Sequence, residues 1–469
     1  MHLVDIVIFL IYFLTVLCIG FFFYKKNETP DDYFVGGRNM GSLHIGLSVV
    51  ATDVGGGFSI GLGGLGFIMG ISGSWLLFTG FLGAWLSGVF LIPVVFRKAV
   101  KKKYLTLPQL LEDIFNKRVA LFAGIISSVG YLGFTSSQIL AGAKLASSTF
   151  SGLSMENALL IMGVIAILYT SLGGMKAVIY TDTIQWIVLL AGLLFIALPF
   201  SFVKVGGMDV IRDTLPSEFF SLKNVSWSQL INWLFTILPV WFIGMTLYQR
   251  IYASKNQKTA QRGWFIAGIF EYPIMAFTGV ILGMFARVAF ENGVITELMS
   301  ESIDAEMGLP LLLKAILPVG FMGIVLSAYF SAIMSTADSC LMASSGNILT
   351  DILNKHNDKN SLKYSQVITL LIGCIALLLA LKMNNVLELM LYSYSFMVSG
   401  MIVPVLAGLF FKAADSSAAL ISMITGGVST LILIVLNINL PFGFDPIIPG
   451  IFLSTMMYFV VYHLSRNNK

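Results

Sequence analysis

Cysteine, histidine and charge are all scarce in this chain of 469 residues. It holds 3 Cys and 4 His, and Asp, Glu, Lys and Arg make up only 11% of it. Cys18, Cys340 and Cys374 stand alone within apolar runs, so they read as small buried apolar residues, not as a disulfide frame or a thiolate site. His2, His44, His356 and His463 are scattered. With no nucleophile elbow or P-loop either, nothing supports hydrolytic chemistry or an ATP-driven pump, and the chain is read as no enzyme. A net charge of +4 would point to nucleic acid only on a soluble basic domain, and no polar stretch is long enough to form one.

What is abundant is apolar: 57% hydrophobic residues, 37 of them Phe, and a mean hydropathy of +0.88. These values predict an all-α protein of the lipid bilayer. Runs of about 20 apolar residues fall at 3–24, 42–70, 73–96, 119–150, 153–172, 178–203, 228–249, 263–290, 319–350, 365–382, 385–411, 415–437 and 447–464, about 13 spans in all. The first has no basic segment before it and no small-residue cleavage site, and reads as a retained helix. Placing the N-terminus outside puts 21 of the 28 Lys and Arg on one side, against Lys204, Arg212, Lys223, Arg287 and Lys382 on the other, with Lys144 and Lys314 in or near spans. The positive-inside rule makes the rich side, and the C-terminus with it, cytoplasmic. The acidic loop ENGVITELMSESIDAEMG then lies outside. The expected location is the cell (inner) membrane, crossed many times.

Two spans are broken. The second reads ATDVGGG at its centre, and the seventh carries Pro239 and Gly244. They stand five spans apart, as expected if 42–203 and 228–411 are inverted repeats, preceded by one extra helix (1–24) and followed by two (415–464) within a single transporter domain. Three consecutive glycines cost roughly 1 kcal/mol each in a helix, and a turn opened within lipid must line a cavity or satisfy its own backbone. The freed carbonyls near Ala51 to Val54 suit a small cation, and Asp53 adds a charge where charge is expensive. In the ninth span Ser327, Ser331, Ser335 and Ser339 recur every four residues, and Ala332, Ser335, Thr336 and Ser339 share a stripe with Asp338 beside it. Such hard oxygen donors suit an alkali or alkaline-earth ion, although hydroxyls of this kind also serve simply to hold helices together. Asp182 enters the sixth span just after a turn at Gly173 and Gly174, and reads either as functional or as an interfacial acid paired with Lys176. Arg250, ending the seventh span, reads as a positive-inside anchor.

These residues carry a resemblance. DDYFVGGRNMG, ATDVGGG, LYTSLGGMKAVIYTDTIQ and SAIMSTADS occur in order at matching spans, and over almost its whole length the chain resembles the sodium/solute symporters, the group of sodium/glucose, sodium/proline, pantothenate and choline transporters. The resemblance implies an inverted-repeat, amino-acid-transporter-like core of 5+5 helices and sodium as the co-transported ion. It places sodium between spans two and nine, on the carbonyls of Ala51, Val54 and Ala332 and the hydroxyls of Ser335 and Thr336. It also implies a second cation site at Asp182, Ser335, Asp338 and Ser339, with Asp338 standing where family members have a hydroxyl. The implied substrate lining is Asp53, Gly56, Phe58, Trp75, Tyr131, Gln138, Trp241, Thr246, Tyr392 and Tyr394. Aromatic rings with one acid suit an ammonium group, so an amino acid or quaternary amine ranks first, a monocarboxylate or vitamin-like acid second and a sugar third. The partners expected are this small molecule, Na+ and the lipid bilayer, for a chain functional as a monomer. Coupling to protons through Asp53, Asp182 or Asp338 is the nearest alternative, and a channel or sensor on the same fold is the alternative outside transport.

Overall fold

The structure is a computed structural model. It describes every residue except 1, 25–29, 151, 296–303, 356, 357, 359, 412 and 468–469, and leaves the side chains of 17, 20, 23, 24, 30, 33, 57, 169, 172–174 and 177 undescribed. Lys25, Lys26, Lys359, Lys412, Lys469 and His356, and the middle of the acidic loop, thus lie outside the described residues.

With so few polar side chains to place in lipid, the backbone satisfies itself as helix throughout, and no strand occurs among the described residues. Ten stretches among them are long and apolar enough to cross a membrane, and Leu3–Val16 and Met155–Leu168 are shorter apolar helices. Helix α1 (Leu3–Tyr24) is followed by α2 (Ser42–Met69), α3 (Trp75–Leu86) and α4 (Lys117–Thr149). Helical backbone runs unbroken through the turn expected at Gly173 and Gly174, within α5 (Met155–Ala191). The seventh span divides into α6 (Trp227–Ile243) and α7 (Met245–Ala253), and the eighth into α8 (Gln257–Ile269) and α9 (Ala276–Glu291). Helix α10 (Ala305–Ile316) precedes α11 (Phe321–Asn347), and α12 (Ser361–Ala380), α13 (Val386–Leu409), α14 (Ser416–Val435) and α15 (Ile447–Asn467) complete the chain.

Helix α11 is the axis of the fold. Every residue of it from Val325 to Asn347 is buried, and it packs on α1, α2, α4 and α5. Its Ser and Ala residues keep it slender, which lets neighbours approach closely in a solvent where hydrophobicity gives helices no reason to associate. Asp5 fixes α1 against its start, accepting hydrogen bonds from the N–H groups of Gly320 (2.7 Å) and Gly323 (2.9 Å), donors that a helix N-terminus leaves unpaired.

Candidate functional site

Both expected breaks are present. Gly55, inside α2, has φ 29° and ψ −178°, a backbone that interrupts the helix and that residues with a side chain rarely adopt. Its freed carbonyl accepts from Ser59 Oγ at 2.7 Å. The break lies against α11: a Cβ on Gly55 would come 2.1 Å from Thr336 Oγ1, and one on Gly56 would come 1.8 Å from Ile333 Cγ1. Glycine here therefore serves both backbone shape and close approach. Gly244, between α6 and α7, has φ −65° and ψ 114° and ends α6 five residues after Pro239, which cannot donate to the helix ladder.

At the first break, Thr336 Oγ1 lies 3.1 Å from the Ala51 carbonyl and 3.2 Å from that of Ala332. Ala51, Ala332 and Thr336 thus meet at one point, in surroundings where Val54 is also buried. Ser335 turns toward α5 and donates to Asp182 Oδ1 at 2.5 Å.

Asp182 is not an interfacial acid paired with a lysine, and Arg250 is not an anchor at the membrane surface. Both side chains are fully buried and 3.1 Å apart. Asp182 Oδ2 also accepts from Ser48 Oγ at 2.5 Å, while the Arg250 guanidinium donates to Ser48 (2.9 Å), Thr52 (2.5 Å), Ser339 (2.8 Å) and the Thr246 carbonyl (3.0 Å). The short helix α7, begun by the Gly244 break, carries Arg250 inward instead of to the surface. Of the four residues implied for a second cation, Asp182, Ser335 and Ser339 belong to this network, whose positive charge is Arg250. Asp338 instead accepts from Thr170 Oγ1.

Beside the network is a closed cavity of about 10 Å³, lined by Thr52, Asp53, Tyr131, Phe134, Thr246 and Tyr394 among others. It has room for about one water. Phe134 and Tyr394 stack at 4.8 Å, and Tyr131 Oη sits 3.1 Å from Thr246 Oγ1. Four of the ten residues of the implied substrate lining therefore come together: Asp53, Tyr131, Thr246 and Tyr394. The other six are not on this cavity. Gly56 packs on Ile333. Phe58 is buried. Trp75 donates to the Leu222 carbonyl at 2.9 Å. Gln138 donates to Ser137, Trp241 packs on Trp264 at 6.4 Å, and Tyr392 donates to Glu388 at 2.7 Å. In an α-helix, residues a turn apart point alike while their immediate neighbours do not, and for this reason Tyr392 and Tyr394 diverge.

Two further charged groups were not anticipated. Glu271, in the irregular segment between α8 and α9, is fully buried and faces Asp53. Lys144, 27 residues after Lys117 and so about 40 Å along α4, contacts Asp304 (2.6 Å) and Glu306 (2.7 Å). Glu306 in turn accepts from the N–H groups of Val386 and Leu387, both at 2.9 Å, at the start of α13. This cluster ties α4, α10 and α13 together on the acidic face. On the opposite face a cavity of about 950 Å³ is lined by Asp31, Lys102, Lys103, Glu112, Asp113 and Lys117 among others. There Tyr104 and Lys102 hold the Asp113 carboxyl below its usual range by hydrogen bonding and charge. A rule applied to Asp53, that an acid within a span is expensive and functional, would have found Glu271 in GWFIAGIFEYPIM.

Comparison with known proteins gives a consistent result. Residues 33–426 match the family model described as the sodium:solute symporter family. The high-affinity proline transporter PutP of Bacillus subtilis is 29% identical over 96% of each chain. The sodium/pantothenate symporter of Escherichia coli is 28% identical, over 96% of this chain and 94% of its own. The sodium/glucose cotransporter of Vibrio parahaemolyticus is 25% identical, over 94% and 86% respectively. Among solved structures, a Na+-coupled sialic acid symporter in its substrate-bound outward-open state superposes with a TM-score of 0.83 at 21% identity, over 99% of this chain and 98% of that one. This likeness shows the fold: an all-α, inverted-repeat, amino-acid-transporter-like membrane protein.

Proposed function

The chain belongs to the sodium:solute symporter family, and on that premise we propose that the solute it takes up with sodium is an amino acid or a quaternary amine. Sodium-coupled solute uptake across the membrane is the common ground of its relatives, and sodium is the co-transported ion. The observation that carries the solute reading is the cavity whose lining brings the acid Asp53 together with Tyr131, Phe134 and Tyr394. Aromatic faces attract a desolvated cation and the acid balances its charge, whereas a sugar calls for several amide and acidic partners for its hydroxyls.

Sodium binds at the α2 break, on the carbonyls of Ala51, Val54 and Ala332 and the hydroxyls of Thr336 and Ser335. The contacts of Thr336 with Ala51 and Ala332 support this assignment. Ser335 also reaches Asp182, so the ion site and the arginine network share a side chain. Because Arg250 already supplies the charge opposite Asp182, and Asp338 accepts from Thr170 instead, we read Asp182, Ser335 and Ser339 as a structural network in place of the implied second cation site. The repeats 42–203 and 228–411 rock about the site, with 1–24 and 415–464 peripheral. The basic face is cytoplasmic in the cell (inner) membrane, and the chain works as a monomer in lipid. Uptake draws on the ion gradient and on about 2.3 kcal/mol per charge per 100 mV.

The test is purified protein in liposomes under an imposed sodium gradient, given labelled proline, glycine betaine, choline, pantothenate and glucose. Sodium-dependent uptake of one of the first three is expected. Uptake of pantothenate or glucose alone would remove the amine reading, and uptake driven by a pH gradient without sodium would overturn the coupling.

A further inference from the structure

The Asp182 network disposes of its charge internally, and the pair beside it does not. Among the described residues neither oxygen of Glu271, nor Oδ2 of Asp53, has an N–H or O–H donor. Glu271 is fully buried and Asp53 is 5% exposed. What each carboxyl faces is the other. The described ion pairs include neither, and the buried Arg250 spends its guanidinium on Asp182, Thr52, Ser339, Ser48 and Thr246. Tyr394 and Cys340 are the other titratable groups that sense Asp53, and both are buried. The carboxylate of Glu271 rests directly against Gly80 of α3, where a Cβ would lie 1.8 Å from Oε1. The chain leaves helical geometry just after it, at Tyr272, with φ −140° and ψ 125°.

Two carboxylates facing each other in a low-dielectric interior repel, and Glu271 on both oxygens and Asp53 on Oδ2 lack the hydrogen bonds that make a buried charge tolerable. A positive charge set between them removes both faults at once. We propose that Asp53 and Glu271 form a cation-binding site, distinct from the sodium site at Ala51, Val54, Ala332, Ser335 and Thr336, which takes one monovalent positive charge. Two sources could supply that charge, the ammonium group of the solute or a second alkali ion, and both need the same paired anionic oxygens. The solute source rests on the amine reading above; the alkali source does not. Glu271 is the specificity-determining half, because Asp53 lines the central cavity and Glu271 stands behind it, doubling the negative charge a ligand meets.

The experiment compares full-length wild type with Glu271→Gln, which keeps shape and removes charge. Radioactive sodium alone is titrated first, and then proline, glycine betaine and choline are titrated at saturating sodium. If the solute supplies the charge, the variant binds the best of these three at least tenfold more weakly while its sodium titration is unchanged. If a second alkali ion supplies it, wild type binds two sodium ions per chain and the variant one. Unchanged sodium stoichiometry together with unchanged solute affinity overturns the proposal. Should wild type bind none of the three amines, the amine reading fails by itself, and the sodium count of wild type against variant still decides the site. Should Glu271→Gln fail to fold, Asp53→Asn, which removes the other charge of the pair, replaces it with the same expectations.

Discussion

Two groups of buried acid share the centre of this protein, and they are handled in opposite ways. Asp182 is matched: Arg250, Ser48 and Ser335 cover its oxygens at 2.5 to 3.1 Å. Asp53 and Glu271 are unmatched, each presented mainly with the other's negative charge. The first arrangement is what a fold uses to join helices that must keep their register, since a partnered buried ion costs little only while its partner stays. The second is a pair of acids for which the protein supplies no countercharge of its own. The difference teaches that burial of an acid within a span does not by itself mark an ion site; the decisive question is whether the protein supplies the countercharge.

The largest effect should come from breaking the matched group. Arg250→Ala strands Asp182 in the interior and is expected to cost about 3–5 kcal/mol, read as a lowered melting temperature in detergent. The double variant Asp182→Asn with Arg250→Met should recover part of the loss. Glu271→Gln, by contrast, relieves a repulsion and should leave the melting temperature unchanged or raised. If the two single variants are equally destabilising, the distinction between matched and unmatched acids fails.

Next in size is the cluster on the acidic face. Lys144→Met leaves Glu306 without its cation while its hydrogen bonds to Val386 and Leu387 remain, so a loss of about 2 kcal/mol is expected. A cysteine placed in the central cavity should then label more readily from the outer side. Smaller again, Thr336→Ala should weaken sodium binding about tenfold, or about 1.4 kcal/mol, with little change in melting temperature, because the Thr336 hydroxyl bonds to the carbonyls of Ala51 and Ala332. Ser335→Ala should lower both, because that hydroxyl also serves Asp182.

The helices were legible in the sequence because lipid leaves so few choices: an apolar run of 20 residues has to be helix. The breaks were legible because glycine and proline act locally, at Gly55 and Gly244. The stripe on α11 was legible as a period, and so was its meeting with Ala51, though only through a resemblance. Arg250 was misjudged for a physical reason. A basic residue at a span's end is an anchor if its helix runs straight, and the Gly244 break turns α7 so that the same residue points inward. The pairing of Asp53 with Glu271 joins residues 218 positions apart, and only three-dimensional packing brings them together. Gln138, Trp241 and Tyr392 lie away from the cavity because a polar or aromatic residue on a span has several faces to choose from, and its identity alone does not say which.

A third acid, wetter than either, tests whether this contrast is one of degree. Asp445, in the loop between α14 and α15, is half-buried, and its backbone N–H donates to Asn232 at 3.0 Å. Burial, aided by the charge of Glu388, pushes its carboxyl from 3.8 up to about 6. The folded state therefore keeps this proton to a higher pH than the unfolded chain does, so stability contributed by the neutral form is present in acid and declines as pH rises from about 4 to about 6. Solvent reaches the group, and the decline should stay below about 1 kcal/mol. Asp445→Asn should flatten that part of the pH profile of the melting temperature and leave the rest unaltered. A profile that instead rises through the same window would mean that the charged form is the one the fold holds, which would place Asp445 with the matched Asp182.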